Sequence, residues 1–260
     1  MKIFATCMEC MKEMGHPSFE PIIADYYDEP VAYIECSKGH KSAFMLQSQK
    51  FEVLMESAVN ALLEGYTLEA ASTFSAAFER FIEFAVTVIC SKNKIEKRQL
   101  ELTFKQVSRQ SERQLGAFLF LHLLEFDEAY KINEKIVTFR NKVVHKGYIP
   151  TPNEVEGFAA KIYSEIYDLT QKLKLRCKDD IMSVTMDSLS KRSQKIPDGM
   201  PRATSTGAMF FSLSQEEQKA SFHEALSSYK EAQKVILSAV PYLKVLSKTI
   251  GVFTKVKNAF

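Results

Sequence analysis

Thr138-Phe139-Arg140-Asn141-Lys142-Val143-Val144-His145-Lys146-Gly147 is the stretch on which the reading of this chain turns. Ile132, Ile136, Phe139 and Val143 lead into it at helical spacing, and Gly147, Pro150 and Pro152 end the pattern. Glycine and proline close helices in this way, so a helix from Asp127 to about His145 is expected. Near its end it carries an arginine, an asparagine and a histidine. On a straight helix five residues turn the chain about 500°, so Arg140 and His145 point about 140° apart. Asn141 and His145, at i and i+4, share a face. Bringing all three together calls for an arginine reaching round, a helix end or bend, or a second copy of the chain.

Outward from this stretch the chain reads as helix in both directions. Upstream, Phe51, Leu54, Met55, Ala58, Val59 and Leu62 recur at spacings of three and four. Gly65 breaks the run, and Leu68, Ala71, Phe74, Phe78, Phe81, Ala85 and Val88 mark a second helix from Thr67 to Cys90. Within it Glu79 and Glu83 fall one turn apart on one face. A short helix from Lys97 to Val107 is followed by an apolar one from Leu115 to Phe126. That one is apolar nearly all round and reads as central core, with His122 a hydrogen-bonded core residue. Downstream, Thr151-Pro152-Asn153-Glu154 has the form of a capping box and opens a long helix to Arg176. Only 9 Gly and 8 Pro in 260 residues also favour helices. The fold class is therefore mainly α, with a helical bundle over 49–186.

Residues 1–46 differ. Cys7-Met8-Glu9-Cys10 and Cys36-Ser37-Lys38-Gly39-His40 flank short strand-like runs at 31–35 and 42–46. Two close pairs of thiol and imidazole ligands joined by short strands describe a zinc ribbon, with Cys7, Cys10, Cys36 and His40 as ligands of a structural Zn2+. His40 stands where many ribbons have a cysteine, and His16 is a substitute ligand. Cys90 and Cys177 lie alone in helical patterns and read as inert core thiols. This usage suits a reducing cytosol better than a disulfide framework. The first residues lack the apolar run of a signal peptide, and no window reaches the length of a membrane span. A cytoplasmic protein is expected. A net charge of +2 leaves any nucleic-acid role to a local patch.

Residues 187–212, rich in Ser, Thr, Pro and Gly and mildly basic, read as a linker. Residues 213–260 read as a helical extension, a helix capped by Ser214-Gln215-Glu216-Glu217 followed by a basic tail from Pro241 to Phe260. The tail is expected to pack as a terminal helix on the domain or on a second subunit. A membrane-surface or RNA-contacting role is the other reading.

Arg140, Asn141 and His145 suit one chemistry. Histidine exchanges a proton near neutral pH, arginine stabilises charge growing on a phosphorane, and asparagine orients either partner. Together they fit attack of a ribose 2′-hydroxyl on the adjacent phosphate, which needs RNA and neither metal nor cofactor.

Arg140-Asn141-Lys142-Val143-Val144-His145, late in an all-helical domain, resembles the R-x4-6-H motif of the HEPN superfamily (higher eukaryote and prokaryote nucleotide-binding domains). Asn141 matches the polar residue that follows the arginine in nuclease members. The helix holding Ala70-Ala71 through Phe78-Glu79-Arg80-Phe81 resembles the earlier family helix with small residues and an internal glutamate. The likeness spans roughly 49–176. It implies a HEPN-like antiparallel helical bundle, a homodimer with both motifs at the interface, and metal-independent endoribonuclease activity. Toxin–antitoxin, abortive-infection and other anti-phage roles follow by the same resemblance, with an antitoxin or regulatory protein as a partner. Glu79 either supports the site by bonding an active-site side chain or is a solvated helix-face residue. The alternative function is a non-catalytic helical module, a sensor or adaptor that binds nucleic acid or protein with the ribbon as a structural knob.

Overall fold

Alanines at 58, 70, 71, 77 and 85 are fully buried, and they decide how two helices meet. The helices are α2 (Lys50–Leu63) and α3 (Thr67–Lys92), joined by a turn at Gly65, whose φ of +83° suits glycine. Small side chains let the two backbones approach, and Phe51 of α2 meets Phe81 and Phe84 of α3 with ring centroids 5.1 and 5.6 Å apart. The structure, a computed structural model, describes residues 2–16, 22–25, 31–107, 110–205 and 208–235. These residues fall into two compact units. One comprises Gln49–Asp187 and Ala208–Leu226; the other comprises Met1–Ser48, Ser188–Gly207 and the chain from Ser227.

The first unit is helical and built around α3. After it come α4 (Lys97–Val107), α5 (Ser111–Phe126), α6 (Glu134–Lys146), α7 (Pro152–Arg176) and the start of α8 (Lys178–Ser193). α3 packs on α2, α5, α6 and α7. The α7 stripe Val155, Phe158, Ile162, Ile166, Leu169 and Leu173 is buried as its spacing predicts. Its capping box forms: Thr151 Oγ1 accepts from the Glu154 amide at 3.4 Å, and Glu154 Oε2 accepts from the Thr151 amide at 2.9 Å.

Three expectations need correction here. α6 starts at Glu134, because Asp127 ends α5 in the left-handed region (φ +54°) and Asn133 caps α6 by accepting from the Lys135 amide. α5 is peripheral: it buries only Gln114, Phe118 and His122, one row at i, i+4 and i+8, and leaves Phe120, Leu123 and Leu124 exposed. The segment from Ala208, read as linker and extension, belongs to the helical core. Phe211 and Phe222 pack edge-on against Tyr163, and Glu52 and Glu56 on α2 accept backbone amides of Leu213 and Met209 at 2.7 and 2.6 Å. Ser214–Glu217 precede the last described helix, which runs over 222–235 and is capped by Ser221. The basic tail lies outside the described residues.

In the second unit β1 (Lys2–Ala5) pairs antiparallel with β2 (Ile22–Asp25), with α1 (Met8–Met14) between them. β3 (Val31–Glu35) and β4 (Lys41–Leu46) form an antiparallel hairpin in which Glu35 faces Lys41. The stretch 187–212, expected to be a linker, supplies the end of α8 and strand β5 (Arg202–Ser205), which runs parallel to β4 with Ala43 opposite Arg202. β4 is thus a central strand, buried at every residue from Ser42 to Leu46, which explains its unbroken small and apolar run. Ile196 joins Ala43 and Met45 in a small core. Arg192 donates to the Leu46 carbonyl, and Arg202 donates to Ser193 Oγ at 2.6 Å, so both arginines of the stretch are engaged inside the unit. No described helix is long and apolar enough to cross a membrane.

Candidate functional site

The β3–β4 hairpin and the N-terminus of α1 bring Cys7, Cys10, Cys36 and His40 together, with ligand atoms all within 4.8 Å of one another. Cys7 caps α1, its sulfur accepting from the Cys10 amide at 3.4 Å. Cys36 and His40 sit on a tight turn closed by Gly39 (φ +81°), whose amide donates to the Cys36 carbonyl at 2.9 Å. One ligand pair thus lies on a helix start and only the other on a hairpin turn.

Ligand geometry tests whether one ion fits. An ion about 2.3 Å from sulfur and about 2.05 Å from nitrogen, at tetrahedral angles, separates two sulfurs by ~3.8 Å and a sulfur from a nitrogen by ~3.6 Å. Cys10 and Cys36 sulfurs are 3.8 Å apart, and His40 Nδ1 lies 3.4 Å from Cys10 Sγ and 3.7 Å from Cys7 Sγ. These three separations match a tetrahedral ion, and all four ligand atoms lie within 4.8 Å of one another, close enough to hold one metal ion. His16 is not in the cluster.

Electrostatics agree. Burial, with Cys7 and Cys36 close by, pushes the Cys10 thiol up to about 12. Burial acts in the same direction on Cys36, but the amides of Lys38 and His40, together with hydrogen bonds from Cys7 and Cys10, hold that thiol below its ordinary value. Three thiols this crowded cannot all ionise unless a cation joins them. The cysteines are 5% exposed or less, which leaves little room for a substrate. Sequence reading missed the outer partners. Glu13 Oε1 lies 3.3 Å from His40 Nε2, and Lys38 holds the same carboxylate at 2.9 Å. A carboxylate on the far nitrogen fixes the ring so that Nδ1 faces the Cys7 and Cys10 sulfurs. The signal was there: Glu13 follows Cys10 by three residues and so shares its helix face.

The helical unit holds the other candidate site. α6 is regular to Lys146, and Gly147 caps it with φ +65°. His145 therefore lies in the last turn. Arg140 bridges the angular gap by its length: Nη1 donates to Asn141 Oδ1 at 3.0 Å and to His145 Nε2 at 2.9 Å. The two motif residues meet within one chain, so neither a bend nor a second copy is needed to join them. Arginine has no acceptor. His145 Nε2 must then present a lone pair, with the ring proton on Nδ1.

The second arm of the guanidinium faces α3 and α5. Nη2 donates to Glu79 Oε1 at 2.9 Å and to Ser111 Oγ at 3.3 Å, and Glu112 Oε1 stands 4.0 Å from Nη1. Glu79 is thus in the cluster and not merely solvated, while Glu83 pairs with Arg80. Ser111 and Glu112 went unread because α5 was expected to begin at Leu115. An acidic residue in a first helical turn is the cue that marks them. Each η nitrogen carries two hydrogens, and all four have a protein acceptor.

Beside this cluster opens a pocket of about 650 Å³, counted out to open solvent. Phe78, Ile82, Leu115, Ile132, Ile136 and Val137 form its apolar wall. Glu79, Ser111, Glu112, Arg140 and Asn141 supply polar groups, with Ser75 and Gln114 also in the lining.

His122 is fully buried, its Nδ1 donating to the Glu128 carbonyl at 2.9 Å among Phe118, Phe126 and Tyr130, so it is a core residue. Cys90 and Cys177 are buried and raised by that burial, Cys177 to about 11, which keeps both thiols protonated. No family model, curated protein or solved structure matches this chain.

Proposed function

We propose that the chain is a metal-independent endoribonuclease of the HEPN type, with a structural zinc in its Cys7, Cys10, Cys36 and His40 centre. The carrying observation is that one guanidinium, on Arg140, is bonded to His145 Nε2 and Asn141 Oδ1 beside an open pocket. In the reaction a phosphate of the RNA takes the Nη1 hydrogen that His145 holds while the other stays on Asn141 Oδ1, a charge-assisted bond to an anion being the stronger one. The exchange frees the Nε2 lone pair. Nε2 then takes the proton of the neighbouring 2′-hydroxyl, the 2′-oxygen bonds to phosphorus, and the bond to the 5′-oxygen breaks. The imidazolium returns its proton to that oxygen. The products are a 2′,3′-cyclic phosphate and a 5′-hydroxyl end. Arg140 stabilises the charge on the phosphorane, and Glu79 holds Arg140 from α3.

The test is incubation of the full chain with RNA in EDTA, beside His145→Ala and Arg140→Ala. Cleavage that persists in EDTA and vanishes in both variants is the expected result. Intact RNA with the wild type, or equal cleavage by the variants, overturns the reading. By its resemblance the protein is a toxin or anti-phage effector, working as a homodimer and restrained by an antitoxin or regulatory protein. Its expression then arrests growth, and His145→Ala relieves the arrest.

A second reading has an observation of its own. All four η hydrogens of Arg140 are already satisfied within the chain, as in a purely structural ion pair. In that case the helical unit is a binding module, and RNA or protein binding survives His145→Ala.

A further inference from the structure

We propose that the pocket beside Arg140 is a base-recognition subsite, which takes the nucleobase on the 5′ side of the cut and prefers guanine. This rests on the ribonuclease reading above. The pocket shares Arg140 and Asn141 with the proposed catalytic cluster, so a nucleotide whose phosphate lies on Arg140 has its base at the pocket mouth. The wall is apolar and includes the aromatic ring of Phe78, the kind of surface on which a splayed-out base stacks.

The polar groups then select the base. Glu112 is 79% exposed at its side chain and stands 4.0 Å from Arg140 Nη1. Apart from a 3.4 Å bond from Ser111 Oγ, its carboxylate has acceptor capacity to spare. Asn141 has committed its Oδ1 to the same Nη1, so its amide hydrogens are the donors it has left. The rim therefore sets a paired acceptor beside a donor. Guanine presents the complement on its Watson–Crick edge: two adjacent N–H donors, N1–H and N2–H, next to the O6 acceptor. Cytosine and adenine each place a ring-nitrogen acceptor where the carboxylate needs a donor. Uracil offers one N–H in place of two.

The experiment uses oligonucleotides that are 2′-O-methylated everywhere except at one residue, that residue being G, inosine, A, C or U. Only the unmethylated residue can supply a 2′-hydroxyl. Wild-type protein is expected to cut after G faster than after A or C by roughly ten- to a hundredfold, the usual worth of a bidentate base contact. Inosine, which lacks the N2 amino group, falls between. Glu112→Gln collapses the preference, and Phe78→Ala raises KM for every base. Equal rates for all bases, or a guanine preference unchanged in Glu112→Gln, overturns the subsite and leaves the nuclease standing. Fully 2′-O-methylated versions of the same oligonucleotides separate the opposite case by binding alone. Guanine-selective binding that is lost in Glu112→Gln, with no cleavage of any substrate, supports the subsite and overturns the nuclease. Neither cleavage nor selective binding overturns both.

Discussion

Arg140 contacts Glu79, Ser111, Asn141 and His145 at once, using both arms of its planar fork. A lysine carries the same charge on a single nitrogen and cannot span those acceptors. Arg140→Lys is therefore expected to lower cleavage by at least about a hundredfold, the loss typical when an aimed donor is removed from a developing oxyanion. A rate within a few-fold of wild type would mean that charge alone suffices at this position. At the metal centre the outer residue to test is Glu13. Glu13→Gln leaves all four ligands and loosens only the His40 ring. Zinc affinity, measured by competition with a chromogenic chelator, should weaken by roughly ten- to a hundredfold.

Among the elements, α2 carries an unusual burden. Glu52 is 2% exposed, and burial raises its carboxyl from 4.5 to about 7 even though the amides of Gln49 and Leu213 favour its charged form. Because the folded value lies above the unfolded one, the folded state keeps a proton between about 4.5 and about 7 that the unfolded state gives up. The stabilisation is full below about 4.5 and is lost as pH rises through about 7. It amounts to something on the order of 3 kcal/mol. Denaturant unfolding at pH 5 and pH 8 should show this fall, and Glu52→Gln should flatten it. An identical slope in the variant would place the pH dependence elsewhere. α5 makes a second case. With α2 and α7 also packed on α3, α5 buries a single row, and Phe120 and Leu124 stay 73% and 79% exposed. In the proposed homodimer, this is the face that a second copy would cover. Phe120→Asp with Leu124→Asp should halve the mass seen by sedimentation without changing helix content.

On the scale of the whole molecule, the chain passes from one compact unit to the other and back, and both units are discontinuous in sequence. The smaller unit combines the cluster of candidate metal ligands with a sheet whose central strand is flanked by β5, Arg202 standing opposite Ala43 from 159 residues earlier. Ala43, Met45 and Ile196 form one apolar cluster of this unit, and the four ligand side chains lie in the same unit. A bound ion then contributes folding free energy directly. The purified chain should hold one equivalent of zinc, and chelation should lower its melting temperature. Cys10→Ser should reproduce the chelated behaviour without chelator. A wild-type protein that binds less than half an equivalent ends the zinc assignment.

The sequence by itself determined whatever depends on neighbours along the chain. The stripes of α2, α3 and α7, the Thr151 capping box, the glycine stops and the two ligand pairs are set by local spacing. Contacts at i+3 and i+4 follow from helix geometry alone. Only the tertiary structure decided what depends on distant partners. It made β5 of a stretch with linker composition, because an edge strand needs backbone pairing more than an apolar pattern. It moved Ala208–Leu226 into the helical core, where buried Glu52 and Glu56 hold its amides. It placed α5 at the periphery, since an apolar sequence cannot say which of its faces finds a neighbour. It also closed the Arg140–His145 gap by side-chain reach and brought Glu79, 61 residues away, onto the same guanidinium.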